Sequence, residues 1–403
     1  MTYSSVLIAN RGEIARRVIR ACRERGLRSI AVYSEADVDA TFVREADDSV
    51  LLGPTPPRES YLDIARVLAA AKESGAEAVH PGYGFLSERA ELARAVTEAG
   101  LVFIGPSADV MELMGRKDHA REVAERAGVP VTPQFAPESV PEDAYPVLVK
   151  AAAGGGGKGM HVVARPADLD QAVATARREA ASAFDDDTLI VEPYIEGGRH
   201  VEVQVFGDEQ GNVVHLFDRD CSAQRRHQKV VEEAPAPFVP DAVRTRILEA
   251  SVALCREVGY TNAGTVEFLV KDDDAFFLEM NTRLQVEHPV TEEVTGLDLV
   301  SWQLDVAAGL PLPLTQDEIT VNGHAIEVRA YAEDPYTDFL PQSGTVEKLV
   351  WSPDARVDAA FDGHGEVTTA YDPMIAKVIV HGTDREAARR KMLDASTTRP
   401  FSG

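Results

Sequence analysis

The residues best placed to do chemistry are carboxylates set inside apolar runs. Gly264-Thr-Val-Glu-Phe-Leu-Val270 and Phe276-Phe-Leu-Glu-Met-Asn281 flank the Asp-rich Lys271–Ala275. Two apolar runs joined by a short turn predict a β-hairpin. If Val270 pairs with Phe276, Glu267 lies opposite Glu279, with Cβ atoms roughly 5 Å apart on one face. Asn281 falls on that face, two residues along the strand. Directly opposed like charges destabilise a hairpin. A divalent cation between them removes the conflict, and two carboxylates with one amide are hard oxygen ligands that suit Mg²⁺. The alternative is a solvated face that tolerates the pair; the flanking Val, Phe and Leu weigh against it.

Immediately downstream, Thr282-Arg283-Leu-Gln-Val-Glu287 puts a guanidinium and a carboxylate in one short segment. Arg283 could hold a small oxyanion and Glu287 could take its proton, if geometry brings them within reach. Upstream, Ala151–Met160 contains four consecutive glycines. Glycines order at an entropic cost and pack nothing. Bare N–H groups that close over phosphate oxygens would justify them; a plain flexible hairpin loop is the other reading. No Ser or Thr follows a Gly-Lys pair, so this is not a Walker A loop. Lys117 and Lys150 are candidate phosphate ligands, against the ordinary solvated lysine. Asp218–Lys229 carries a basic cluster of Arg225, Arg226, His227 and Lys229. A solvated loop explains such a run, and an anion site gains only from the other candidates in the same chain. Cys221 beside it is expected to be accessible to thiol reagents.

Elements must position these groups. Strands are predicted over Val6–Ala9, Ser29–Tyr33, Ala78–His80 and Leu101–Ile104, and helices over Glu13–Glu24, Tyr61–Lys72 and Ala90–Glu98. The second helix would turn Ile64, Ala65, Leu68 and Ala71 inward. Strand–helix alternation implies a parallel, doubly wound sheet. Ligands bind beyond the carboxyl ends of such strands, so Asn10–Gly12 and His80–Gly84 face a cleft. After Gly105-Pro106 a helix begins near Val110 and a Pro-rich stretch runs from Pro133 to Pro146. Strands over Val147–Lys150 and about His161–Ala164 flank the glycine run. Further strands lie within Leu189–Val205 and Val213–Phe217, and helices over Asp241–Val258 and about Leu297–Ala308. From Ile326 short strands and turns prevail until a helix over Asp384–Asp394.

At 403 residues the chain calls for two or three domains. Its net charge of -25 argues against general nucleic-acid binding, which needs basic surface. Cys22, Cys221 and Cys255 are too few for a disulfide framework and fit a reducing cytoplasm. The beginning shows no basic-then-apolar targeting pattern, and no apolar stretch is long enough to span a bilayer, so no membrane association is expected.

Taken together, these segments resemble the biotin carboxylase family of the ATP-grasp superfamily. The resemblance rests on IANRGEIA near the start, HPGYGFLSE at 80–88, LMGRK at 113–117 and KAAAGGGGKGM at 150–160. It continues through RHVEVQV at 199–205, RDCSAQRRHQKVVEEAPAP at 219–237, GTVEF at 264–268 and EMNTRLQVEHPVTE at 279–292. It implies an α/β (α+β) fold: a Rossmann-like N-terminal domain over 1–108, a central ATP-grasp domain over 109–320 with a mobile lid at about 130–200, and a β-rich C-terminal domain over 321–403. By motif, Lys117, Lys150, Gly156, Gly157, Glu192, His200, Gln224 and His227 correspond to nucleotide ligands. Glu267, Glu279 and Asn281 correspond to ligands of Mg²⁺ or Mn²⁺, with two ions expected. Lys229, Arg283, Gln285 and Val286 correspond to a bicarbonate pocket, Glu287 to the base that deprotonates bicarbonate, and Arg329 to the arginine that steadies the biotin enolate. The implied reaction is ATP-dependent carboxylation of biotin N1′ through carboxyphosphate, the first half-reaction of an acyl-CoA carboxylase.

Two stretches are shorter than the family pattern. Thr132–Tyr145 is expected to lack a helix before the lid, and an ending at Ala395–Gly403 implies an incomplete C-terminal domain. No lysine stands between two methionines, so a biotin carboxyl carrier protein or domain and a carboxyltransferase are expected as partners on other chains or on a removed segment, with the chain itself a homodimer. The rival readings are another ATP-grasp ligase and an inactive or partner-dependent subunit that retains the fold. A dinucleotide-dependent oxidoreductase fits poorly, because Asn10-Arg-Gly-Glu lacks the glycine pattern.

Overall fold

The structure is a computed structural model that describes residues 2–152, 160–184, 186–226 and 228–397. The glycine run with Gly156 and Gly157, and also His227, lie outside the described residues.

Valine- and isoleucine-rich runs at the start form a parallel sheet, as the alternation predicts. Its order is Asp48–Gly53, Arg28–Ser34, Ser5–Ile8, Ala78–His80, Val102–Phe103. Helix Gly12–Glu24 buries Ile14, Ala15, Val18, Ile19 and Cys22 against it. The edge strand Asp48–Gly53 escapes the sequence reading because its half-exposed residues carry little alternation. The second helix is shifted. Asp63 accepts from the Arg66 N–H and starts the helix at Ile64, so Val67, Ala70 and Ala71 face inward while Ala65 is exposed. The sheet order reverses between Ser5–Ile8 and Ala78–His80, and the expected cleft loops sit there. Asn10 Nδ2 donates to the carbonyls of Pro81 and Tyr83 at 2.8 and 2.7 Å, tying the two loops together. Gly82, at φ +64°, lies so close that a Cβ would stand 2.8 Å from the Asn10 amide.

A second sheet has eight strands in the order Asp274–Asn281, Asn262–Lys271, Arg199–Gly207, Val213–Arg225, Gln228–Ala234, His324–Tyr331, Met374–Gly382, Arg356–Ala359. Its pairings are antiparallel. One face is apolar: Val201, Val203, Val205, Val266 and Phe268 pack with Ile247 and Leu254 of helix Asp241–Glu257. The opposite face carries the charged residues described below. Because Gln228–Ala234 pairs with His324–Tyr331, the sheet runs without a break across residue 320.

Strands His161–Val163, Val147–Ala151 and Leu189–Pro193 make a separate three-stranded sheet. It is backed by helix Leu169–Phe184, which the sequence reading omits although Leu169, Val173, Ala176 and Ala180 recur at helical spacing. The Pro-rich connection holds two 3₁₀ turns, Pro137–Ser139 and Glu142–Ala144. No helix of the described residues is long and apolar enough to cross a membrane.

Candidate active site

The hairpin forms, but its register differs from the sequence expectation near the turn. The turn is only Asp272-Asp273, so Val270 pairs with Ala275 and Leu269 with Phe276. A bulge at Leu278 then shifts the register by one residue and brings Glu267 opposite Glu279 after all. Asn281 lies on the same face, with its Nδ2 donating to Glu267 Oε1 at 2.7 Å. Two carboxylates and an amide side chain thus converge, a donor set that fits a hard divalent cation. In the protein as described, cationic side chains answer these acids. Lys117 Nζ, at the head of helix Lys117–Arg126, lies 3.3 Å from Glu279 Oε2. His200 Nε2 lies 2.6 Å from Glu267 Oε2, and Gln224 Nε2 lies 2.8 Å from His200 Nδ1.

Lys229 is the hub. Its ammonium donates to Glu202 Oε2 at 2.7 Å, Glu267 Oε1 at 2.9 Å and Glu287 Oε1 at 2.8 Å. Glu202 also accepts from the fully buried Arg219 at 2.5 Å. The expected polar loop at 218–229 is therefore a correction: Val213–Arg225 is one long strand, and Asp218, Arg219, Asp220 and Cys221 are buried in it. Alternation hides there because the inward face of this strand is itself polar. Glu202 was missed too, although Val201, Val203 and Val205 alternate with His200, Glu202 and Gln204. Read at period two, that pattern assigns the polar trio to one face of the sheet.

Glu287 heads helix His288–Thr295 and is fully buried. Its second oxygen accepts from Arg329 Nη2 at 3.0 Å. Arg283 does not meet Glu287 directly. Its fork reaches Glu88, Gln285 Oε1 at 2.8 Å and Asn281 Oδ1 at 3.3 Å. The Val286 carbonyl accepts from Lys377, which holds the turn that presents Glu287. On the three-stranded sheet, Lys150 Nζ donates to Glu192 Oε1 at 2.6 Å, and Thr132 holds the other oxygen. The structure thus brings Glu267, Glu279, Asn281, His200, Gln224, Lys229, Gln285, Glu287, Arg283 and Arg329 to one sheet face and its rim, and Lys150 with Glu192 to the separate small sheet.

Electrostatics follow the partners. Burial opposes ionisation of Glu267 and Glu287, yet Lys229 overrides it in both, with His200 helping the first and Arg329 the second, so both sit below the ordinary carboxylate range. Burial likewise opposes charge on His200, and Glu267 still raises it above its ordinary value. Cys221 corrects another expectation. It is fully buried, and burial pushes its thiol well above the ordinary range, so it is neither accessible nor a ready thiolate. Beside Arg283, Val286 and Arg329 lies a cavity of about 330 Å³, walled by Tyr83, Phe85, Tyr331 and Tyr371. Its aromatic wall joins residues nearly three hundred positions apart, beyond the reach of motif reading.

Comparison with known proteins accords with this arrangement. Family models match for the biotin carboxylase N-terminal domain over residues 2–111, for the carbamoyl-phosphate synthase L chain ATP binding domain over 116–315, and for the biotin carboxylase C-terminal domain over 327–398. The mitochondrial methylcrotonoyl-CoA carboxylase subunit alpha of Dictyostelium discoideum is 47% identical across 97% of this chain, which spans only 58% of that relative. A biotin carboxylase of Halalkalibacterium halodurans is 50% identical across 97% of this chain and 89% of its own length. Among solved structures, a Campylobacter jejuni biotin carboxylase–β,γ-ATP complex superposes with a TM-score of 0.94 at 45% identity, covering 98% of this chain and 90% of that one. The biotin carboxylase domain dimer of Hydrogenobacter thermophilus 2-oxoglutarate carboxylase, with MgADP, ADP and bicarbonate, gives 0.94 at 44%, covering 100% and 91%. On its sheets, its charged face and these relatives, the chain belongs to the biotin carboxylase family.

Proposed function

We propose that this chain carboxylates biotin N1′ on a carrier protein, using ATP and bicarbonate, as the first half-reaction of an acyl-CoA carboxylase. The observation that carries the reading is Lys229, one ammonium bridging Glu202, Glu267 and Glu287. It couples the carboxylate hairpin to the base at hydrogen-bond distance.

In this reading Lys117, Lys150, Gly156, Gly157, Glu192, His200, Gln224 and His227 bind the nucleotide. Glu267, Glu279 and Asn281 hold Mg²⁺ or Mn²⁺, with two ions expected, and such an ion would neutralise phosphate charge when bound. Arg283, Lys229, Gln285 and the Val286 backbone hold bicarbonate. Glu287, kept ionised by Lys229 and Arg329, takes the bicarbonate proton. Bicarbonate oxygen then attacks the γ-phosphorus of ATP, and the bond to the ADP oxygen breaks. Carboxyphosphate collapses to CO₂ and phosphate, phosphate removes the N1′ proton, and N1′ attacks CO₂. Arg329 faces the developing enolate oxygen, and the aromatic cavity beside it is sized for the biotin ring system. Most of this chemistry is positioning and charge neutralisation.

The division into 1–108, 109–320 with a lid at about 130–200, and 321–403 is part of the same reading; the separate three-stranded sheet supports the lid. So are a carboxyl carrier, a carboxyltransferase and a homodimer as partners. A reducing compartment, with the cytoplasm as the specific proposal, is supported by three free, buried cysteines.

The test is phosphate release from Mg-ATP with free biotin, with and without bicarbonate. Release should need both, and Glu287→Ala should lower it by about a hundredfold or more. Release that ignores bicarbonate, or survives in the variant, would overturn the assignment of the base.

A further inference from the structure

Behind the proposed base lies a second pair of acids that the mechanism does not use. Glu232 and Glu327 are register partners on neighbouring strands, so their side chains share one face about 5 Å apart. Both are fully buried. Arg329, two residues beyond Glu327 and therefore on the same face, donates to Glu232 Oε1 from Nε at 2.7 Å. It also reaches Glu287 at 3.0 Å. Three buried carboxyl oxygens then have no donor: Glu232 Oε2 and both oxygens of Glu327.

The other charged groups around the pair give it no hydrogen bond, although the charge of Lys377 favours an ionised Glu327 and that of Lys229 an ionised Glu232. Lys377, on the next strand, commits its ammonium to the Val286 carbonyl at 2.8 Å and Glu13 at 3.4 Å. Lys229 is taken by three other carboxylates. Cys221, on the strand paired to that of Glu232, is a neutral thiol. Two buried carboxylates cannot both ionise beside one guanidinium already shared with Glu287. One proton resolves the conflict by turning an orphan acceptor into a donor for its neighbour.

We propose that Glu327 is a protonated acid that donates a hydrogen bond to Glu232, and that this acid–carboxylate pair positions Arg329 and keeps its charge directed at the reaction site. The proposal rests on the role given to Arg329 above, and Glu327 is a positioning residue that acts through Glu232. Burial pushes the Glu232 carboxyl up to about 7 and that of Glu327 well above its ordinary value; because Arg329 bonds Glu232 and leaves both Glu327 oxygens without a donor, the proton belongs on Glu327. Were both ionised, Arg329 would face three carboxylates and have little positive field left for an enolate.

The experiment combines infrared spectroscopy with kinetics on the full chain. At neutral pH, where Glu13 adds its own protonated-carboxyl absorption, the protein should show a second such C=O band that shifts in D₂O, disappears in Glu327→Gln and persists in Glu13→Gln. Glu327→Gln, neutral and still a donor, should keep KM for biotin within about twofold. Glu327→Leu should raise it about tenfold, the scale of stranding one buried acceptor, with KM for ATP unchanged. Absence of the band, or equal damage from Gln and Leu, overturns the pair. Should Glu327→Leu not fold, the band and the Gln variant still decide. Arg329→Met separates the two claims: if KM for biotin does not move, the reading of Arg329 fails and the positioning role falls with it, while the band still reports the pair.

Discussion

Two pairs of glutamates face each other across the same sheet, Glu267 with Glu279 and Glu232 with Glu327, and the protein treats them in opposite ways. The first pair lies toward the open rim, and every charge in it has an answer. Lys229 and His200 reach Glu267, Lys117 reaches Glu279, and Glu279 keeps about a third of its side chain in solvent. The second pair is closed off and under-supplied, with one arginine for two acids and Glu287 besides. Glu13 belongs with the second kind: buried, its carboxylate oxygens find only Lys377, at 3.4 Å, among the described residues. The lesson concerns the counterion count rather than the acid. Lys229 and His200 hold Glu267 below its ordinary range despite burial, whereas burial drives Glu232 and Glu327 above theirs beside a shared arginine. An acid held ionised suits a cation or a proton to be accepted. One held neutral serves as a donor.

The comparison breaks most severely at Lys229. Lys229→Met leaves Glu202, Glu267 and Glu287 buried and facing one another without their shared cation, turning the compensated side into a worse version of the other. Losing one partner of a buried ion pair should lower unfolding free energy by about 3–5 kcal/mol, read from urea denaturation, and bicarbonate-dependent phosphate release should vanish. Glu279→Gln probes the open rim more gently. Its contact with Lys117 is partly solvated, so stability should change by less than about 1 kcal/mol. If Glu279 is the ion ligand proposed above, affinity for Mg-ATP, measured by titration calorimetry, should nevertheless fall by roughly tenfold or more, because a direct ligand matters at least as much as its supporting shell. A further prediction sharpens the closed side through pH. Glu13 is raised by burial from 4.5 to about 7, so the folded chain binds a proton there that the unfolded chain has released. Its contribution is complete below about pH 4.5 and is lost as pH rises through about 7. In Glu13→Gln the dependence of unfolding free energy on pH in that window should flatten by up to about 1.4 kcal/mol per pH unit, compared by urea midpoints at several pH values.

Legibility followed the kind of signal each element sends. The parallel sheet, the glutamate hairpin and helix Asp241–Glu257 announced themselves through alternation or helical period, because one face of each is apolar. The second half of strand Val213–Arg225, from Asp218 on, read as a basic loop, since its buried residues are charged and neutralised by partners on other strands. Edge strand Asp48–Gly53 was overlooked for lack of a strong apolar contrast, and helix Leu169–Phe184 despite the helical spacing of Leu169, Val173, Ala176 and Ala180. The pairing of Glu267 with Glu279 was anticipated through the wrong turn, and the bulge at Leu278 restored it.

By itself the sequence determined the inventory: which acids, lysines and arginines lie in which motifs, their order along the chain, and the family those motifs belong to. That information is local, carried by residue type and spacing within a few turns or strands. Only the tertiary structure decided that Lys229 gathers three carboxylates, that Cys221 is sealed away, that Tyr83 and Tyr371 share a cavity wall, and that Glu232 faces Glu327. Those outcomes depend on strand order and register between segments up to hundreds of residues apart. Whether a glutamate is an anion or an acid is set by the cations the fold brings to it, and no stretch of chain holds that count.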